Sequence, residues 1–142
     1  MKEVIRRLHE DRHLKQNIPI LLFSKGGGTW LKEMAKSGAN VIGLDWTQSL
    51  SQAREQLTSQ SICLQGNLDP QILLGDQSII KIKVAELFNE LALTKEIKQD
   101  LSPLDGHIFN LGHGISQFTP PENVEILISA IRAESTRHRL QS

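Results

Sequence analysis

Four short apolar runs, each followed by a polar or glycine-bearing turn and then a helix-like segment, constrain this chain most. The runs are Ile18-Pro19-Ile20-Leu21-Leu22-Phe23, Val41-Ile42-Gly43-Leu44, Ile62-Cys63-Leu64 and His107-Ile108-Phe109. They are apolar at successive positions rather than alternate ones, the pattern of parallel strands covered on both faces. Strand–helix alternation of this kind gives an α/β fold with a parallel sheet and right-handed crossovers. Two architectures satisfy it: an open doubly wound sheet, or part of a (β/α)8 TIM barrel. A whole barrel typically takes about 250 residues, so 142 residues supply only half of one. No linker or low-complexity stretch interrupts the pattern, and residues 1–142 read as a single domain.

The helices have local signals. Met1 opens into an amphipathic segment carrying Val4, Ile5 and Leu8. Ser49-Leu50-Ser51-Gln52 reads as a capping box. In Thr119-Pro120-Pro121-Glu122, Thr119 is the expected cap, Pro120 the first helical residue and Glu122 the closing acid. Behind it Val124, Leu127, Ile128 and Ile131 predict one buried stripe, and Ile80, Val84, Leu87 and Leu91 predict another.

Composition then excludes whole classes. Sixteen basic side chains balance sixteen acidic ones, so no excess positive field draws the chain to nucleic acid or to a membrane surface. Cys63 is the one cysteine, which rules out an internal disulfide or a Cys-rich zinc site. No run approaches the roughly 18 apolar residues of a membrane span, and the charged start lacks a signal-peptide core. A cytoplasmic location is the expectation.

The chemistry-bearing residues cluster where strands are expected to end: Ser24-Lys25-Gly26-Gly27-Gly28, Asp45-Trp46, Gln65-Gly66-Asn67-Leu68-Asp69-Pro70 and Asn110-Leu111-Gly112-His113-Gly114. Carboxyl ends of strands form the ligand-binding edge of either α/β architecture. Lys25 and its glycines suit an anion contact or a tight turn with a solvated lysine, and match neither a P-loop nor a Rossmann fingerprint. Asp45 suits an acid or base, but more readily a buried carboxylate bonded to backbone. Trp46 reads as packing, and Asn67 with Asp69 as an Asx turn running into Pro70. His113, between two glycines with little local cover, is the strongest site candidate, an imidazole able to donate to a carboxylate. His9 and His13 share a helix face without a zincin glutamate and read as solvated. His138 sits among cations suited to a helix C-terminus. No nucleophile elbow or carboxylate pair identifies a reaction.

Leu44-Asp45-Trp46, Leu64-Gln65-Gly66-Asn67-Leu68-Asp69-Pro70 and Phe109-Asn110-Leu111-Gly112-His113-Gly114-Ile115 together resemble the uroporphyrinogen decarboxylase family. Phe23-Ser24-Lys25-Gly26-Gly27-Gly28-Thr29-Trp30-Leu31 resembles a fourth segment, and Thr119-Pro120-Pro121-Glu122-Asn123-Val124 the closing helix. The resemblance implies a cytosolic enzyme of haem and chlorophyll biosynthesis, a distorted (β/α)8 barrel commonly paired as a homodimer. It implies removal of carboxyl groups from the four acetates of uroporphyrinogen III, giving coproporphyrinogen III without metal or cofactor. It assigns a substrate contact to His113. Lys25 and Asp45 match family positions, and no catalytic role is carried over to either.

The departure is the missing half. The family's arginine-rich segment, its pyrrole-binding aspartate and its tyrosine contact precede the matched part, and this sequence contains no tyrosine. The expectation is a leading helix plus the last four strand–helix units, inactive alone, which self-associates or pairs with an N-terminal half. The connection over residues 94–105 is long and charged, and is expected to be a solvated insertion opposite the active-site rim. Two alternatives stand: a cobalamin-dependent methyltransferase, which would need zinc ligands, and a non-catalytic tetrapyrrole-binding or interaction half barrel.

Overall fold

Each apolar run contributes a strand, and each strand pairs in parallel with the next one in sequence. The computed structural model describes residues 1–11, 18–57, 62–93 and 106–140. It runs α1 (Lys2–Glu10), β1 (Leu21–Phe23), α2 (Leu31–Ala35), β2 (Val41–Gly43), α3 (Leu50–Gln56), β3 (Cys63–Leu68), α4 (Gln77–Ala92), β4 (His107–Leu111) and α5 (Pro121–Arg139). Short 3-10 turns at Gly27–Trp30 and Pro70–Leu74 lead into α2 and α4. His13 and the 94–105 connection lie outside the described residues.

The sheet order is β1-β2-β3-β4 with every neighbour parallel. A doubly wound sheet reverses its strand order at a switch point. This one never reverses, so it is half of a (β/α)8 barrel wall.

Alternation along the strands separates two faces. Leu22, Ile42, Leu64 and Leu68 are at most 7% exposed and join the helices in one core. From the helices come Leu31 and Met34 of α2, Leu50 and Ala53 of α3, and the α4 stripe Ile80, Val84, Leu87 and Leu91, the last four buried as the periodicity predicts. The opposite face carries Leu21, Phe23 and Ile108, each 43–44% exposed. Val41 is on that face too and lies outside the helix-side core. The strands are apolar on both sides, and on the second side Val41 is only 8% exposed while Leu21, Phe23 and Ile108 stay open.

Several expectations need correction. β1 begins at Leu21, because the Ile20 carbonyl turns to accept from Asn40 N at 2.9 Å and Val41 N at 3.2 Å. β3 and β4 run further than their apolar cores, to Leu68 and Leu111, since polar Gln65, Asn67 and Asn110 sit in the ladder on the open face. Thr119 does not cap α5. Pro120 holds the cap position with an extended backbone and Pro121 opens the helix, so Thr119 Oγ1 is buried with no hydrogen bond. Ile128 is 43% exposed. α5 instead turns Asn123 and Leu127 inward, and Asn123 Nδ2 donates to the carbonyls of Leu73 at 2.9 Å and Gly75 at 3.1 Å.

Ser49 does cap α3, accepting from Gln52 N at 3.2 Å. Glu90 of α4 then accepts from Ser49 Oγ at 2.6 Å and Ser51 Oγ at 2.9 Å, clasping the two helices. On α1, Ile5 is buried while Val4 and Leu8 remain 57% and 41% exposed, and His9 is exposed.

Candidate functional site

The loops leaving β1, β2 and β4 meet at one rim, the carboxyl edge of the sheet. Asp45, immediately beyond β2, is 2% exposed and has hydrogen bonds on both oxygens. Oδ1 accepts from Thr47 N at 3.0 Å and Thr47 Oγ1 at 2.5 Å, and Oδ2 accepts from the Gly26 N–H. Gly26 presents that N–H from a left-handed conformation (φ 71°) open to glycine. Burial pushes the Asp45 pKa up, but the hydrogen bonds from Thr47 and Gly26, with the Lys25 charge, hold it below the ordinary carboxylate value. The arrangement makes Asp45 a brace between two rim loops.

That brace sets Lys25 beside Trp46, with Nζ 5.4 Å from the indole centroid, within cation–π range. On the same indole His113 packs edge-on, the ring centroids 4.5 Å apart and the planes at 71°. One tryptophan thus carries both cation-capable side chains of the rim. A Cβ at Gly112 would sit 2.5 Å from Trp46 N, so only glycine lets the His113 loop approach this closely. Gly112 N donates to the Leu68 carbonyl at 2.8 Å, which fixes where β4 ends.

His113 is exposed, and its Nδ1 lies 2.6 Å from the Gly114 carbonyl oxygen. A carbonyl only accepts, so Nδ1 carries the hydrogen. Nε2 has no partner among the described residues and is available to a ligand, as a donor once the ring is protonated. Below the rim the open sheet face grades from polar to apolar: Gln65, Asn67 and Asn110 lie nearer the carboxyl ends, and Leu21, Val41 and Cys63 further down. The geometry offers the Lys25 charge at the mouth and the amides of Gln65 and Asn110 just inside it, which suits an acidic ligand.

Asn67 is not part of an Asx turn. Its Nδ2 donates to the Asp45 carbonyl at 2.7 Å and the Gln48 carbonyl at 2.5 Å, locking the β2 loop onto β3. Asp69 alone makes the turn, accepting from Gln71 N at 2.9 Å. The sequence reading missed Asn67 as a lock and Trp46 as the surface orienting His113. The only available signal was that both stand at strand ends. Among the described residues no three His, Cys, Asp or Glu side chains gather around a metal position, and no helix is long and apolar enough to cross a membrane.

The uroporphyrinogen decarboxylase family model matches residues 1–134, from α1 through most of α5. The chain belongs to the uroporphyrinogen decarboxylase family. The uroporphyrinogen decarboxylase of Cupriavidus metallidurans is 43% identical over 139 residues, covering 98% of this chain and 35% of its own length. That of Ralstonia nicotianae is 44% identical over 120 residues, covering 84% of this chain and 31% of its own. The chain therefore holds half a barrel by strand count and about a third of these uroporphyrinogen decarboxylases by length. A methyltransferase from Methanosarcina mazei superposes with a TM-score of 0.67 over 94% of this chain and 35% of that one. At 20% identity it shares the fold.

Proposed function

We propose that this chain is the C-terminal half barrel of a uroporphyrinogen decarboxylase and that its rim receives the acetate groups of uroporphyrinogen III. The observation carrying this is that the family match spans the whole rim and includes His113, the exposed imidazole with an uncommitted Nε2. The substrate bears acidic side chains around one macrocycle, so a rim with an ammonium and an imidazole on a shared indole is electrostatically matched to it. Protonated His113 donates from Nε2 to one carboxylate, and Lys25 stands by as a second positive charge. Asp45 is a positioning residue, holding the loop that bears Lys25.

In the reaction the bond between the acetate methylene and its carboxylate breaks, and carbon dioxide leaves. The electron pair passes into a protonated pyrrole ring, the methylene gains a proton to become methyl, and the ring gives up the proton it had taken, so each loss consumes one proton. Four such losses give coproporphyrinogen III. No cofactor enters this balance. The working assembly is the barrel completed by the rest of the family's length, and completed barrels can pair as homodimers. The cytoplasm is its location, where Cys63 stays reduced.

The test is turnover by the chain assembled with the remaining segment of a relative, followed as coproporphyrinogen formed from uroporphyrinogen. Activity that falls at least tenfold in His113→Ala, and less in Lys25→Ala, is expected, with none from the chain alone. Full activity in His113→Ala, or turnover by the chain alone at the assembled rate, would overturn the reading. Tetrapyrrole binding without any turnover would favour the non-catalytic alternative.

A further inference from the structure

Two kinds of ligand-binding group stand on and above the open sheet face, and they differ in what they can specify. Lys25 and His113 lie on loops, beyond the ends of β1 and β4. An ammonium is a compact charge on a flexible stem, so Lys25 attracts any carboxylate within reach. Gln65 and Asn110 lie inside the ladder, Gln65 level with Ile108 and Asn110 level with Asn67. Groups based on paired strands hold a direction better than groups on loops.

Both carboxamides are uncommitted. The Asn67 amide on the same face is spent on the carbonyls of Asp45 and Gln48. Neither the Gln65 nor the Asn110 side chain has a hydrogen-bond partner among the described residues. Asn110 is exposed and Gln65 half-buried. The open-face positions of the four strands include no charged side chain. A carboxylate brought over this face therefore meets neutral donors or none, and burying one without a donor is costly. Each carboxamide offers two N–H donors.

Their placement is stepped. Two residues separate their levels, about 6.6 Å along a parallel strand, and the strands lie about 4.8 Å apart. Two donors offset in this way fix the tilt of whatever lies across them, which a single donor cannot do. Below Asn110 the row runs from Phe23 through Gly43 and Gln65 to Ile108. A Cβ at Gly43 would stand 3.1 Å from the Phe23 ring and 3.5 Å from Gln65 Oε1, so the glycine leaves a dip beside Gln65. Phe23 and Ile108 flank that amide with apolar surface and no competing polar partner.

We infer that Gln65 and Asn110 are specificity-determining residues that decide which acetate of the macrocycle is presented first. The rim charge draws the acidic substrate in, and the two carboxamides set its tilt by donating to two of its carboxylates. This rests on the decarboxylase reading for the substrate and adds orientation to the attraction assigned to His113 and Lys25.

The test gives uroporphyrinogen III to the chain assembled with the unmatched segment of the Cupriavidus metallidurans enzyme. Products that have lost one carboxyl group are separated by chromatography as positional isomers. One isomer should dominate, and Gln65→Leu or Asn110→Leu should raise the others at least fivefold relative to it. Lys25→Ala should weaken binding, most at low salt, and leave the isomer ratio unchanged. An unchanged ratio in both carboxamide variants would overturn the inference and leave the decarboxylase reading in place. An assembly without turnover counts against that reading, and the carboxamides are then judged on the chain itself. In isotope-labelled chain the side-chain amide resonances of Gln65 and Asn110 should shift when uroporphyrinogen is added. Those of Asn123, committed to the carbonyls of Leu73 and Gly75, should not. Gln65 and Asn110 resonances that stay in place up to millimolar ligand would overturn the inference.

Discussion

The two faces of the sheet are made by the same strands, yet one is finished and the other is not. On the helix side Ile42 and Leu64 are 0% and 1% exposed, with helices packed over them. On the other side their strand neighbours Phe23 and Ile108, of comparable hydrophobicity, are each left 44% exposed. Hydrophobicity records that a surface is meant to be buried, and does not record by what. The rim lies where the two faces meet, so the loops carrying Lys25, Asp45 and His113 are braced from the helix side while facing a mouth that is half walled.

Substitutions that sample the two faces sharpen this contrast. Leu64→Ala removes a fully covered side chain and should cost the chain about 2–5 kcal/mol in chemical denaturation. A loss under about 1 kcal/mol would mean the helix-side core is loose. At the rim, Asp45→Asn turns an amide donor toward the N–H of Gly26 or that of Thr47, and should cost about 1–3 kcal/mol. Loss of the Trp46–His113 contact should accompany it, visible in the His113 ring resonances.

Acid should act on the braced side in two steps. Burial and the Arg54 charge lower the pKa of His107, whose Nε2 is 2.8 Å from the Gly66 carbonyl, despite the opposing effect of that bond. The unfolded ring then takes up a proton that the folded one refuses, so stability falls as pH drops below about 6.5. Asp45 and Glu90 have lowered values, because hydrogen bonds outweigh burial at both. Their contribution is present above the ordinary carboxylate range and lost as pH falls through their folded values. His107→Gln should remove the upper step of a melting-temperature profile and leave the lower one. The smallest effect belongs to the open face: Phe23→Ser should change the stability of the chain alone by no more than about 0.5 kcal/mol. A loss as large as that of Leu64→Ala would show that the face is already covered.

Much of the fold was legible because backbone pairing leaves strong local marks. The α4 stripe read correctly, since a helix packed along its length repeats its burial every turn. The strand ends did not, because Gln65, Asn67 and Asn110 look like turn residues until the ladder places them on a face that is polar near the rim. Thr119 misled because two prolines compete for the first helical position, and the second one took it. His113 stood out through its glycines, although the reason for Gly112 is Trp46, 66 residues earlier in the chain. Such long-range approaches carry no local signature, and neither does the choice between buried and open for two equally apolar faces.

The central claim is that one face and both edges of this sheet are built to receive the rest of a barrel. Hydrogen exchange on the chain, before and after the complementary segment is added, reads it directly. Amides of Leu21–Phe23 and His107–Leu111 should exchange fast at first and become protected on addition, while those of Val41–Gly43 change little. Strand edges already protected in the chain alone, or unchanged by the segment, would contradict the account.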